Sequence, residues 1–219
     1  MAMDSRFEDR FAAGRALARA LQAYAAQRDL LVLALPRGGV PVAFEVARAL
    51  GAELDVLIVR KLGVPHQPEL ALGAISSGDA LYLNRDLIAL TGVTKAEIES
   101  VLKAEREELA RRELLYRGSR PDVRVEGRTV IVVDDGIATG ASMHAALLAL
   151  RSKHPARIIV AVPVAPAQTQ ERLGAATDVF ISVMTPEPFY AVGQFYERFD
   201  QTSDEEVRAL LDRSRAETR

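Results

Sequence analysis

Val130-Ile131-Val132-Val133-Asp134-Asp135-Gly136-Ile137-Ala138-Thr139-Gly140-Ala141-Ser142 joins an unbroken aliphatic run to two carboxylates, a glycine-bearing stretch and the start of a helical pattern. A short continuous apolar run bounded by turn residues predicts a strand buried on both faces. Turning from that strand into a helix exposes unpaired backbone N–H groups, and these, aided by the helix dipole, favour an anion such as phosphate. Gly136 and Gly140 let backbone approach a ligand closely. Thr139 and Ser142 place hydroxyls beside the amides. Asp134 and Asp135 fall at the carboxyl end of the strand, where open α/β sheets bind ligands, and ionised carboxylates accept hydrogen bonds from a diol. Phosphate donors beside diol acceptors suit a phosphorylated sugar. The alternative is a bare strand–turn–helix whose aspartates merely cap, with the ordered residue types then a coincidence.

Outward from this segment the pattern repeats. Leu30 to Leu35 is a second buried-strand run, ended by Pro36-Arg37-Gly38-Gly39; Pro41 to Leu50 reads as helix, with Gly51 as its stop. Leu54 to Val59 reads as another strand ending in Arg60-Lys61-Leu62-Gly63, so that strand, helix and strand imply a parallel pair. Val64 to Glu69 reads as an exposed loop, and Leu70 to Ile75 with Ala80 to Leu83 as a β-hairpin around Ser76–Asp79. Thr94-Lys95-Ala96-Glu97 has capping-box form and opens a helix to Arg117-Gly118, with Ile98, Leu102, Leu109 and Leu115 on its apolar side. Thr129–Val133, Arg157–Val162 and Asp178–Val183 read as strands, Ala141–Ser152 and Asp204–Arg213 as helices. Phe7, Phe11, Leu17, Leu21 and Tyr24 mark an amphipathic helix at the start. The fold class is α/β: a central, mainly parallel sheet flanked by helices. A length of 219 residues predicts a single domain, 1–219, with a loop, hairpin and helical insertion over 64–118 and a C-terminal segment with a helix over 185–219.

The net charge of −2, with basic residues spread along the chain, speaks against a nucleic-acid partner. The absence of cysteine excludes disulfides, thiolate catalysis and cysteine-bound zinc. The charged first residues do not form a signal peptide, and no run reaches the ~18 apolar residues of a spanning helix, so a cytoplasmic protein without membrane contact is expected. The glycine patterns of dinucleotide and P-loop sites are missing.

The Val130–Ser142 order of apolar strand, two acids, short spacer, Thr-Gly and hydroxyl resembles the signature of type I phosphoribosyltransferases, which bind 5-phosphoribosyl-1-pyrophosphate (PRPP). Most of the chain also resembles bacterial predicted phosphoribosyltransferases with a Pro-Arg-Gly-Gly loop near the start and a similar Arg-Lys segment. The resemblance implies transfer of the phosphoribosyl group from PRPP to a nitrogenous small-molecule acceptor, a nucleobase or related heterocycle, with release of pyrophosphate. It implies that Asp134 and Asp135 hold the ribose hydroxyls, that Ala138 through Ser142 (Ala138, Thr139, Gly140, Ala141, Ser142) cradle the 5-phosphate, and that Gly136 and Ile137 belong to the same PRPP-binding segment. Arg37, with Gly38 and Gly39, then belongs to the pyrophosphate loop, and Arg60 and Lys61 converge on the same end of the sheet. The expected catalytic set is Asp134, Asp135, Arg37 and Lys61. Mg²⁺ is the expected cofactor, carried by PRPP and met by Asp134 and Asp135 through water rather than by direct protein ligation.

Ala138 stands where the 6-oxopurine branch of that superfamily usually has an aspartate, which speaks against hypoxanthine or guanine as acceptor. The resemblance also implies that the loop at the start of 64–118, with His66 and Glu69, is a lid and that 185–219 forms a small C-terminal hood; His144 and His154 are expected in surface or packing roles. Phe189, Tyr190, Phe195 and Tyr196 serve either as a stacking surface for a planar base or as core. A PRPP-binding regulator or scaffold without catalysis is the competing function, with the charged Thr94–Arg117 helix as its partner or homodimer surface.

Overall fold

The computed structural model describes residues 6–65, 67–120 and 122–217, and among them five strands form a parallel sheet and three an antiparallel one. Helix α1 (Arg10–Ala20) opens where the Asp9 side chain accepts a hydrogen bond from the Ala12 amide at 2.8 Å, and it buries Leu17. β1 (Leu30–Ala34) is buried at every position. α2 (Gly39–Leu50) follows with Pro41 in its first turn and stops at Gly51, whose left-handed φ of 63° a side chain would resist.

β2 (Glu53–Val56) pairs parallel with β1, but the expected single strand over 54–59 is two. The Leu57 amide makes a last bond to the Ala34 carbonyl at 2.9 Å; Ile58 then turns to Ser77, accepting from its amide at 2.9 Å and donating to its hydroxyl at 3.1 Å. From there β3 (Val59–Val64) runs antiparallel to β4 (Gln67–Ser76), which pairs with β5 (Ala80–Leu83). A continuous apolar run cannot show where a chain changes sheets. Arg60 and Lys61 therefore lie within a strand of the second sheet, not in a loop at the mouth of the first. Val64 to Glu69 is not an exposed loop but the β3–β4 connection and the start of β4. His66 and the side chain of Glu69 lie outside the described residues.

α3 (Arg85–Thr91), absent from the expected elements, is capped by Asn84 and stopped by Gly92. α4 (Lys95–Arg117) carries both halves of the Thr94–Glu97 capping box and turns Leu102 and Leu109 into the core, with Ile98 and Leu115 packed beside them. β6 (Thr129–Val133), α5 (Ala141–Arg151), β7 (Arg157–Val164), α6 (Thr169–Leu173), β8 (Val179–Met184) and α7 (Asp204–Glu217) complete the chain.

The parallel sheet has the order β2-β1-β6-β7-β8. Alternate residues serve opposite faces, as strand geometry requires. Val32, Ala34, Ile131 and Val133 pack with α1, α2 and α7, while Leu31, Leu33, Val130 and Val132 pack with Met143, Leu147 and Leu150 of α5. Strand order reverses between β1 and β6, the kind of switch point at which open sheets form a ligand crevice.

The α4 end is tied to the sheet by charge. Arg117, only 3% exposed, lies 3.0 Å from the Asp55 carboxylate, donates to the Val56 carbonyl at 2.7 Å and pairs with Asp122. Burial pushes the Asp55 carboxyl above its ordinary range, and the Arg117 charge opposes that rise. Among the described residues no helix is long and apolar enough to cross a membrane.

Candidate functional site

The register Ala34–Val133 sets the loops that leave β1 and β6 side by side across the switch point. They touch closely: a Cβ on Gly39 would fall 2.9 Å from the Asp134 Cα, and one on Gly38 only 2.0 Å from an Asp135 carboxylate oxygen. Both glycines are thus required by contact rather than by turn geometry. Gly38→Ala is expected to dislodge the Asp135 carboxylate and cost about 1–3 kcal/mol of stability through overpacking, measured as a drop in denaturation midpoint.

After β6 the chain forms a small cleft of about 200 Å³ lined by Asp134, residues 136–143 and Val192. The Ile137 amide bonds to the Val164 carbonyl at 3.0 Å and buries Ile137, which anchors the loop. Gly140 then takes a left-handed turn (φ 78°) into α5. Among the described residues no protein acceptor faces the amides of Ala138, Thr139 and Gly140, and the Ala141 amide meets the Thr139 hydroxyl only at 3.5 Å. Unsatisfied amides, exposed hydroxyls and a helix start are what an anion would need here.

The two acids have different surroundings. Asp134 lines the cleft, and its Oδ1 accepts from the Asp135 amide at 2.8 Å. Burial and the adjacent Asp135 charge push its carboxyl well above the ordinary range. Asp135 is also raised by burial, but the Arg10 guanidinium pulls it back, with Nε to Oδ2 at 2.8 Å. Asp135 does not line that cleft; its carboxylate points to Gly38 and Arg10.

A larger cleft of about 730 Å³ adjoins the first, sharing Ala138 and Thr139 and bounded by Gln168, Arg172 and residues 186–190. The aromatic residues divide between cleft lining and core packing. Tyr190 lines this cleft and is 82% exposed, and Phe189 lines it while packing on Phe195 at 5.0 Å. Tyr196 is core: its ring lies against Phe7 and Phe199, and its hydroxyl donates to the Asp135 carbonyl at 2.5 Å.

The cations expected beside the acids are dispersed. Arg37 lies in the β1 loop, 3.8 Å from Asp204 at the start of α7. Arg60 is taken up by Glu105 of α4 at 2.6 Å. Lys61 lines a separate cleft of about 230 Å³ with Tyr82, Asn84, Ala141 and His144, so it adjoins the start of α5 but not Arg37. His154 occupies a left-handed turn after α5 (φ 53°).

Two contributors escaped the sequence pattern. Arg10 sits among the charges of an amphipathic helix start, and Val192 in a segment without periodicity, so neither carries a local signal of its tertiary partner. Both reach the site through long-range contacts, Arg10 with Asp135 and Val192 with Gly136.

Comparison with known proteins bears on the fold and the family. Residues 6–192 match the phosphoribosyl transferase domain family. "Putative phosphoribosyl transferase Rv0571c" of Mycobacterium tuberculosis is 47% identical over 208 residues, covering 95% of this chain and 47% of its own, so the chain spans about half the length of the curated relatives it matches. The crystal structure of TT1426 from Thermus thermophilus superposes with a TM-score of 0.84 at 46% identity, covering 94% of this chain and 97% of that one. A Neisseria gonorrhoeae hypothetical protein, solved with bound ppGpp, shares only the fold, with a TM-score of 0.51, 14% identity and coverage of 95% and 94%. By the extent of that match and the identity of these relatives, the chain belongs to the phosphoribosyl transferase domain family.

Proposed function

We propose that the chain binds PRPP at the β1–β6 switch point and transfers its phosphoribosyl group to a nitrogenous heterocycle, releasing pyrophosphate. The observation that carries this is the set of unpaired Ala138–Gly140 amides beside the Asp134 carboxylate, in a cleft continuous with a larger one through Ala138 and Thr139. In this reading one domain carries an insertion over 64–118 and a C-terminal hood over 185–219.

The residues divide the work by chemistry. Amides and hydroxyls of Ala138 to Ser142 hold the 5-phosphate, and Asp134 accepts from the ribose hydroxyls. Arg37, Gly38 and Gly39 face the pyrophosphate, with Lys61 approaching from the α5 side. The acceptor lies in the larger cleft against Tyr190 and Phe189. In the transfer the anomeric C–O bond breaks with its electron pair leaving on pyrophosphate, and an acceptor nitrogen lone pair forms the new C–N bond; the nitrogen then sheds its proton. The transition state has oxocarbenium character, as in glycoside chemistry.

Among the described residues no group of three or more potential ligands could hold a metal alone. The Asp134 carboxylate in the cleft would suit Mg²⁺ carried by substrate phosphates and water, since Mg²⁺ commonly relies on one or two carboxylates plus phosphates. When bound, it offsets charge on the departing pyrophosphate.

The test is Mg²⁺-dependent pyrophosphate release from PRPP across a panel of heterocycles. Release with at least one acceptor is expected, and Ala138 argues that hypoxanthine and guanine will not be the best. Tight PRPP binding with no release for any acceptor would assign the chain to the regulator reading instead.

A further inference from the structure

Residues 7–10 and the segment 195–200 converge on the acid pair. The Phe7 amide donates to the Phe195 carbonyl at 2.8 Å, the Glu197 amide to the Phe7 carbonyl at 2.8 Å, and the Arg198 amide to the Glu8 carbonyl at 3.0 Å. Arg198 adds ion pairs to Glu8 and Asp9. This strap ends at Arg10, whose side chain is 11% exposed and makes three contacts at once. Nε donates to Asp135 at 2.8 Å, a terminal nitrogen donates to the Asp200 carbonyl at 2.6 Å, and the guanidinium carbon stands 3.9 Å over the Phe199 ring. A planar cation with a fork of donors and a stacking face can satisfy all three, and lysine cannot.

On the other side of Asp135, its backbone carbonyl accepts from the Tyr196 hydroxyl, so the residue is gripped at its carboxylate by Arg10 and at its backbone by the segment that also carries Phe195 and Phe199. The carboxylate fills the space that Gly38 leaves open. Nothing in this arrangement points the Asp135 carboxylate at the phosphate cleft.

We propose that Arg10 is a positioning residue: it anchors Asp135 under the Pro36–Gly39 loop, joins the 195–200 segment to the acid pair, and leaves Asp134 as the carboxylate that meets the sugar. This rests on the proposed PRPP site for its functional consequence, but the anchoring itself is a property of the ligand-free protein.

Two measurements separate them. PRPP binding with Mg²⁺ is measured by calorimetry for the wild type, Arg10→Gln, Arg10→Lys, Asp135→Asn and the Arg10→Gln/Asp135→Asn pair. Arg10→Gln is expected to weaken binding by about 10- to 100-fold, as loss of a group orienting a functional side chain does. Arg10→Lys should recover part of that loss, and the double variant should bind no worse than the weaker single one, because both act through one contact. Wild-type-like affinity in Arg10→Gln, or independent losses that multiply in the pair, would overturn the assignment.

Amide hydrogen exchange on the ligand-free proteins provides the second readout and stands whether or not PRPP is the ligand. Arg10→Gln should speed exchange in both 195–200 and 134–140. Acceleration confined to 195–200 would reduce Arg10 to a tether of the strap and defeat the proposal. Failure of the wild type to bind PRPP would instead strike at the proposed function, with the exchange result still deciding the role of Arg10.

Discussion

Replacing Asp134 by asparagine is expected to raise the melting temperature of the ligand-free protein while weakening its affinity for PRPP. The carboxyl is raised by burial and by the Asp135 charge, so the folded protein resists ionising it. Its contribution to stability is fully present below the unfolded-state pKa of roughly 4 and is lost as pH rises through the higher folded-state value. Asparagine keeps the shape without the charge, so at neutral pH the variant escapes that loss. A gain of about 1 kcal/mol would show as roughly 2–4 °C in a domain of this size. The gain should shrink toward pH 4, where the wild type is also neutral.

Binding should change in the opposite sense. An ionised carboxylate accepts hydrogen bonds from a sugar diol, and each bond to a charged group is worth about 1.5–3 kcal/mol, so a loss of roughly 10- to 100-fold in affinity is expected. Wild-type affinity should also fall on acidification as Asp134 takes up its proton, with a shallower dependence in the variant. Thermal scans over pH and calorimetry with Mg²⁺ and PRPP check both halves. Unaltered affinity in the folded variant would remove Asp134 from the sugar site.

Arg117→Met should be the most damaging single change outside that site. It removes the cation that chiefly opposes desolvation of the buried Asp55 carboxylate, 1% exposed, and leaves it only Arg215 at 3.8 Å. Breaking one side of a buried ion pair typically costs about 3–5 kcal/mol. The sign with pH follows from the same raised carboxyl. The deficit is least below the unfolded-state value and grows as pH climbs through the folded-state one. Pairing the change with Asp55→Leu removes the orphaned charge and should restore much of the loss, since an apolar replacement of a buried pair is often nearly neutral. Urea denaturation of the single and double variants at pH 5 and pH 8 tests this; equal midpoints for Arg117→Met and wild type would contradict it.

The parallel sheet was readable in the sequence because strands buried on both faces carry uninterrupted aliphatic runs, as β1 and β6 do, and because the Thr94 capping box and Gly51 stop are local signals. The cleft loop was readable for the same reason: acids, glycines and hydroxyls follow one another along a single turn. What escaped was tertiary. The run over 54–59, apolar but for Asp55, crosses two different sheets, so Arg60 and Lys61 looked like loop residues when they are strand residues. Identical neighbours in sequence, Asp134 and Asp135, looked equivalent, yet one lines a cleft and the other is held by an arginine 125 positions away. No periodicity encodes a contact of that range.

The hand-off at Ile58 and the bond from Arg117 to the Val56 carbonyl together mean that the polypeptide departs from the parallel sheet and comes back at one spot. Everything between those points is an excursion clipped at its base by a single guanidinium. Its solvent-facing side is free to diverge, whereas Leu62, Leu72, Leu102 and Leu109 return to the cluster that holds Val32 and Ile131, so any change there is felt by the strands beneath the crevice.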